Sequence, residues 1–283
     1  MRQRELPAWV GVVPFAAYTL VFLGVPVVAV VLGAFVDPAT GGVTMANVGI
    51  ATSGVYLRGF GSSIGLSLVT ALVPGVLGLV LALAVRASPS LRLKRAVATA
   101  SGVFANFGGV PLAFLFVATL GSTGLVVELV KAVGVDLYGA GFSLYSFWGV
   151  AIVYGYFQIP LMVLVITPAL DGLRPHWREA ADNLGATPVQ YWRHVGLPVL
   201  APAVLGCMLL LFGSAFSAYA TTSALTSGSL ALTPIQIGSF LNGNVLSGQE
   251  NVGRALGVGM IVVVAVLMAL YALLQRRVSR WLR

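Results

Sequence analysis

Residues 179–198 read EAADNLGATPVQYWRHVGLP. This is the most polar passage of a chain that is otherwise largely apolar, and Gly185 and Pro198 punctuate it. If the chain meets a soluble partner inside the cell, the meeting place is here. The remainder reads as a scaffold that holds this segment at a membrane face and links it to the bilayer.

The local chemistry predicts two short helices joined by an elbow. Pro175 suits the first turn of a helix, because its missing N–H has no intrahelical partner there in any case. Trp177, Ala180, Ala181 and Leu184 recur at three- and four-residue spacing and form one apolar stripe. Arg178, Glu179, Asp182 and Asn183 take the other side. Gly185 is placed to end that helix in a left-handed conformation. Thr187, Pro188 and Gln190 then supply an N-cap, a first helical residue and the far half of a capping box. The second helix carries Val189, Trp192 and Val195 and is expected to stop near Gly196. On the residues alone, two readings stand. The element docks onto a partner, or it packs beneath its own bundle.

Bulk composition fixes the class. Of 283 residues, 58% are hydrophobic and only 8% charged, with a mean hydropathy of +0.97. Soluble domains carry about 25% charged residues, so an integral membrane protein is expected. The single cysteine, Cys207, lies in an apolar run and excludes an intrachain disulfide and a cysteine-based zinc site.

Charge-free intervals place the spans at Leu6–Val36, Gly59–Val85, Ala96–Val127, Leu137–Leu170 and Ala255–Gln275, each able to hold the roughly 20 apolar residues that cross a bilayer. The first is too long for a signal-peptide core and is read as a retained anchor, with Pro14 and Pro26 as kinks. The longer interval Val195–Gln249 is settled by charge, since Lys and Arg prefer the cytoplasmic side. With the N-terminus inside, the inner face receives Arg2, Arg4, Arg86, Arg92, Lys94, Arg95, Arg174, Arg178 and Arg193. The outer face receives only Arg58, Lys131 and Arg254. Bringing the tail of Arg276, Arg277, Arg280 and Arg283 inside requires an even number of spans. Hence Val195–Gln249 holds one span, near Val199–Thr221, followed by an external loop Thr222–Gln249. Within that loop Pro234–Leu241 is either a short helix or a re-entrant turn. The net charge of +8 is then mostly inner-surface charge facing membrane lipid, not a nucleic-acid footprint.

Other chemistries find no support in the sequence. Lys94 and Lys131 are the only lysines, and neither sits in a phosphate-cradling G-x-x-x-x-G-K-[ST] loop. His176 and His194 flank the polar segment without a zinc-binding pattern. Ionisable groups are absent from the deep parts of the spans, which disfavours a proton-coupled carrier. The polar groups left as candidates for a translocation path are Asn106, Tyr154, Gln158, Ser214, Ser217, Tyr219 and Thr221. Each could equally serve as a hydrogen bond between helices.

In the polar segment, Glu179-Ala180-Ala181 is followed after three residues by Gly185. After nine more come Val195, one residue, and Leu197-Pro198. This pattern resembles the EAA loop of binding-protein-dependent ABC importer permeases, with Val195 in place of the usual Ile. It also lies where that family places it, before the penultimate helix. The resemblance covers most of the chain. It implies an all-α integral membrane protein with six transmembrane helices in the type I importer permease fold. Residues 1–58 would form an N-terminal cytoplasmic end, first helix and external loop. Residues 59–283 would form a five-helix core with a coupling loop at 171–198.

The resemblance further implies a transport subunit rather than an enzyme, in a bacterial inner membrane with both termini cytoplasmic. The coupling residues would be Glu179, Ala180, Ala181, Gly185, Val195, Leu197 and Pro198. Two cytoplasmic ATPase subunits would use ATP and Mg, with no cofactor held by this chain. A second, different permease and an external binding protein would complete the system. Residues 156–185 and 216–228 look most like permeases of polyamine (spermidine/putrescine) uptake, within a subgroup that includes ferric iron, phosphonate, thiamine and sulfate carriers.

Overall fold

Pro26 sits inside the first apolar run and cannot donate a backbone hydrogen bond, so the helix adapts ahead of it. Helix α1 (Val13–Thr19) passes into a π-helical turn, Leu20–Gly24, and continues as α2 (Val25–Ala34). The wider turn accommodates the proline without a free break in the chain. The computed structural model describes residues 12–243 and 248–279. Arg2, Arg4, Arg280 and Arg283, counted above as inner charges, lie outside the described residues.

The further helices are α3 (Ala46–Ala51), α4 (Gly54–Ala87), α5 (Leu91–Asn106), α6 (Gly109–Leu120), α7 (Leu125–Ala132) and α8 (Phe147–Asp171). They are followed by α9 (Pro175–Asn183), α10 (Pro188–Tyr191), α11 (Leu197–Ser217), α12 (Ala220–Thr226), α13 (Thr233–Leu241) and α14 (Val252–Ser279). Six stretches are long and apolar enough to cross a membrane: Val13–Ala34, Gly54–Ala87, Gly109–Ala132, Phe147–Asp171, Pro188–Ser217 and Val252–Arg276. The fold is therefore helical with six candidate spans, as the composition implies.

The chain groups into two units. One comprises Met1–Arg58 with Gln236–Val263, the other Gly59–Ile235 with Val264–Arg283. In the first, the end of α2 is held by side-chain amides. Buried Asn47 donates to the carbonyls of Ala34 (3.1 Å) and Val36 (2.9 Å), and Asn251 donates to Val36 (2.7 Å). Gly33 gives room to Arg254, whose Cδ would lie 2.5 Å from any added Cβ.

The second unit holds the hydrophobic core and the candidate site. Gly75 and Gly78 on α4 act as contact points. A Cβ at Gly75 would lie 2.5 Å from the sulfur of Met208 on α11, and one at Gly78 would lie 2.6 Å from the Cβ of Met162 and 2.7 Å from the carbonyl of Ile159 on α8. Small residues let helix backbones approach where lipid supplies no hydrophobic drive for association. Leu66, Leu112, Leu144, Val150, Val153 and Tyr154 fill the space between α4, α6, α8 and the loop before α8. Outward faces of α4, α6 and α8 carry exposed Leu, Val, Phe and Trp side chains, suited to lipid or to a partner helix.

Three expectations are corrected. The interval Ala96–Val127 holds its span late, at Gly109–Ala132, and is not helical throughout. It breaks at Phe107–Gly108, between α5 and α6. The region Thr222–Gln249 is not simply a loop, because it holds the end of α12 and the helix α13, which settles Pro234–Leu241 as helical. The polar segment's second helix does not stop at Gly196. It runs on through a π-helical turn, Trp192–Gly196, directly into α11.

The Gly78 contact is testable. Gly78→Leu should destabilise the detergent-solubilised protein by about 1–3 kcal/mol through overpacking, seen as a lower thermal midpoint. Gly61→Leu on the same helix, where an added Cβ meets nothing within 4 Å, should leave the midpoint nearly unchanged.

Candidate functional site

The polar segment folds as its local chemistry dictates. Helix α9 starts at Pro175, and the Arg174 guanidinium stands 6.0 Å from the Trp177 ring. At its end Gly185 has φ +74°. The Gly185 N–H donates to Asp182 (2.9 Å) and the Ala186 N–H to Ala181 (2.9 Å), the paired bonds of a Schellman closure. Nothing lies within 4 Å of a Cβ added at Gly185, so backbone conformation alone selects glycine there. Two residues on, the Thr187 hydroxyl accepts from the Gln190 N–H (3.3 Å) and the Gln190 side chain accepts from the Thr187 N–H (2.7 Å). That reciprocal capping box restarts the helix at Pro188.

The elbow presents an unusual surface. Leu184 is 87% exposed and Val189 75% exposed, one before and one after the glycine turn. Glu179 and Ala180 are exposed, while Ala181 is half-buried. Arg178 and Asp182 approach within 4.0 Å, but both are largely exposed and such a pair contributes little. Behind the elbow, Trp192 lies over Gly196, where a Cβ would sit 2.5 Å from its ring. The same indole lines a cavity of about 300 Å³ with Arg86, Leu173, Arg174 and Tyr191. Val195 is half-buried, and Leu197 and Pro198 are exposed on the first turn of α11. The continuous stretch Pro188–Ser217 thus carries the elbow at one end and a helix break at the other.

At that break two interrupted helices meet. α5 ends at Asn106, Gly108 is extended, and Gly109 takes φ +75° to start α6. α11 ends at Ser217, and α12 begins at Ala220. The Gly109 N–H donates to the Thr221 hydroxyl at 2.9 Å. The Ala218 carbonyl accepts from Tyr154 (3.1 Å) and from Thr222 (2.7 Å). Nearby, the Tyr156 ring is ringed by Phe104, Phe107 and Phe116 at centroid distances of 5.5, 6.4 and 5.7 Å. Among the described residues no three of His, Cys, Asp and Glu gather as a metal site.

The structure divides the expected path residues. Asn106, Ser217 and Tyr219 are exposed at the two breaks, and Ser214 is half-buried one turn away. Tyr154, Gln158 and Thr221 are instead buried, at 1%, 0% and 4% exposure. Thr221 ties the two breaks together, Tyr154 ties α8 to the second break, and Gln158 donates to Thr70 on α4 at 3.2 Å. These three have almost no exposed surface; Tyr154 and Thr221 are engaged in bonds between elements, while Gln158 uses its Nε2 and leaves its Oε1 buried without a hydrogen-bond partner. Sequence reasoning missed Gly109 as the partner of Thr221 and Thr70 as the partner of Gln158. The signal for Gly109 was a Gly-Gly pair two residues before a proline inside an apolar run.

Tyr154→Phe should lower stability by about 0.6–1.7 kcal/mol, the range for hydrogen bonds within membrane bundles. Because Tyr154 and Thr222 share the Ala218 carbonyl, a double-mutant cycle with Thr222→Val by thermal unfolding should show coupling above about 0.5 kcal/mol rather than additivity.

The comparisons with known proteins bear on this geometry. The chain is 40% identical over 68 residues to the sulfate transport system permease protein CysT of Salmonella typhimurium, covering 24% of each chain. It is 31% identical over 137 residues to the spermidine/putrescine transport system permease protein PotC of Haemophilus influenzae, covering 48% of this chain and 51% of that one. The first curated relatives are matched over only 24% to 30% of their length. A solved bacterial ABC transporter involved in import of the acidic polysaccharide alginate shares the fold. It has a TM-score of 0.73 at 19% identity over 95% of this chain and 94% of that one. The MetNI methionine ABC transporter, in inward-facing conformations, gives 0.55 at 16% identity over 80% and 99%. The family model for the inner membrane component of binding-protein-dependent transport systems matches residues 13–283, and the chain belongs to that family.

Proposed function

We propose that this chain is the membrane-embedded permease subunit of an ATP-driven importer, coupled to a cytoplasmic ATPase through the elbow at 171–198. The observation that carries this reading is the pairing of an exposed apolar elbow with a continuous helix. Leu184 and Val189 offer an apolar knob for a groove on a soluble partner. Glu179 beside them is exposed and available to a partner cation. Ala180 and Ala181 allow close approach, and Gly185 sets the angle. Motion of the elbow would pass through Val195, Leu197 and Pro198 along α11 to the broken-helix junction.

On this reading two ATPase subunits bind and hydrolyse ATP with Mg, and this chain holds no cofactor. Both termini face the cytoplasm, a second and different permease supplies the other half of the path, and an external binding protein delivers the substrate. Asn106, Ser217 and Tyr219 are the path candidates, since polar side chains exposed at broken helix ends suit a translocation site. For the substrate we favour a polyamine such as spermidine or putrescine. The relation to PotC supports it, and the aromatic group around Tyr156 can meet a cation through ring faces. The relation to CysT supports sulfate as the second candidate.

The test is expression with the chromosomal neighbours and purification in mild detergent. Wild-type chain should bring down a Walker-motif ATPase, and Glu179→Arg should lose it. In vesicles both Glu179→Arg and Gly185→Asp should abolish uptake while still inserting. Normal uptake by either, or flux independent of ATP, would overturn the proposal. Ligand screening of the co-purifying binding protein, polyamines first and then sulfate, assigns the substrate.

A further inference from the structure

A second cavity lies away from the broken-helix junction, where α4 ends, α5 begins and α8 ends. Its volume is about 380 Å³, and its wall combines Val97, Ala98, Val163 and Leu164 with a rim of Arg86, Lys94 and Arg95. One carboxylate, Asp171, also lines it. Among the described residues no ion pair within 4.0 Å joins Asp171 to these cations. Three cations against one carboxylate leave the rim net positive. Two of the helices are candidate spans that terminate here, Gly54–Ala87 and Phe147–Asp171. The ends of candidate spans are where lipid headgroups are expected, and the apolar lining comes from residues of α5 and α8.

We infer that this cavity binds one anionic phospholipid, with its phosphate against Lys94 and Arg95 and an acyl chain along Val97, Ala98 and Leu164. A free anion would use the rim but gain nothing from the apolar wall, whereas an amphiphile uses both. Basic pockets between membrane helices recognise anionic headgroups in this way. Arg86 links the site to the elbow. Its Nη2 donates to the Leu173 carbonyl at 3.0 Å, in the turn that leads into α9, and Arg86 also lines the cavity beneath Trp192. A phosphate drawn to Arg86 competes for the same guanidinium, so occupancy bears on how the elbow is held.

The experiment uses the purified full chain, without any ATPase, so its outcome is independent of the importer reading. Detergent-solubilised protein is incubated with equal phosphatidylglycerol and phosphatidylcholine, and retained lipid is counted by native mass spectrometry. Wild type should retain one phosphatidylglycerol in preference. Lys94→Gln/Arg95→Gln should lose that preference by roughly 30-fold, at about one surface cation's worth of attraction per residue. Lys94→Arg/Arg95→Lys should keep it, which separates loss of charge from misfolding. Unchanged preference in the Gln pair would overturn the proposal. So would displacement of the lipid by millimolar inorganic phosphate, which would mark a headgroup-free anion site. A photoreactive residue at Ala98 that captures polypeptide instead of lipid in the intact membrane would overturn it as well.

Discussion

A helix broken inside a bilayer frees backbone N–H and C=O groups that no water reaches, and each must find a partner within the protein. The second unit is arranged around that demand. Two of its helices break, one after Asn106 and one after Ser217, and one hydrogen bond joins the two breaks directly. Thr221, next to one break, accepts from the Gly109 N–H at the other. Tyr154, from the unbroken α8, donates to the Ala218 carbonyl. Hydroxyls thus serve the backbone groups on the buried side of each break, while Asn106, Ser217 and Tyr219 stay exposed on the other. The buried polar residues of this unit are therefore conditions for the architecture before they are anything else.

The same constraint explains why the elbow and the junction are joined as they are. Pro188–Ser217 is a run of 30 residues, and at 1.5 Å per residue it spans about 45 Å. Pro202 lies inside it, and its π-helical turn at Trp192–Gly196 keeps backbone hydrogen bonds while letting Trp192 lie against Gly196. A stop at Gly196 would have separated the elbow from the membrane helix. Continuity makes them one lever, with exposed Leu184 and Val189 at one end and Ser217 and Ala218 at the other. This is the physical content of the proposed coupling. A displacement imposed on the elbow has a stiff route to the place where the backbone opens.

How much of this was legible in the sequence follows from which signals survive in an apolar chain. The number of spans did, because charge placement and hydropathy report length directly. The elbow did, because Gly185, Thr187, Pro188 and Gln190 act through local backbone chemistry that needs no tertiary information. The breaks did not. α4, α8 and α11 are apolar on every side, so no phase of the pattern marks which face is inward. Tyr154 and Gln158 looked like lining residues for the same reason, since a polar group in a span either faces a path or bonds a neighbouring helix. The choice depends on where Ala218 and Thr70 fall, which lies 64 and 88 residues away in sequence. Gly196 misled in the opposite sense. Its role is close contact with Trp192, not termination, and the sequence writes both with the same letter.

The ties at the junction are also of a strength that suits a moving part. Hydrogen bonds between membrane helices average about 0.6 kcal/mol, because the separated helices find other partners. A junction held by a few hydroxyl–carbonyl contacts can be remade at modest cost, whereas buried ion pairs would lock it, since removing one partner strands a charge. The charged side chains of the six spans lie near their ends, as Arg86, Asp171, Arg193, Arg254 and Arg276 do. Among the described residues, the middle parts of these spans carry no Asp, Glu, Lys or Arg. On the proposed coupling, a rearrangement of the junction is driven from an exposed surface, and the helix Pro188–Ser217 joins the elbow to the junction without a break.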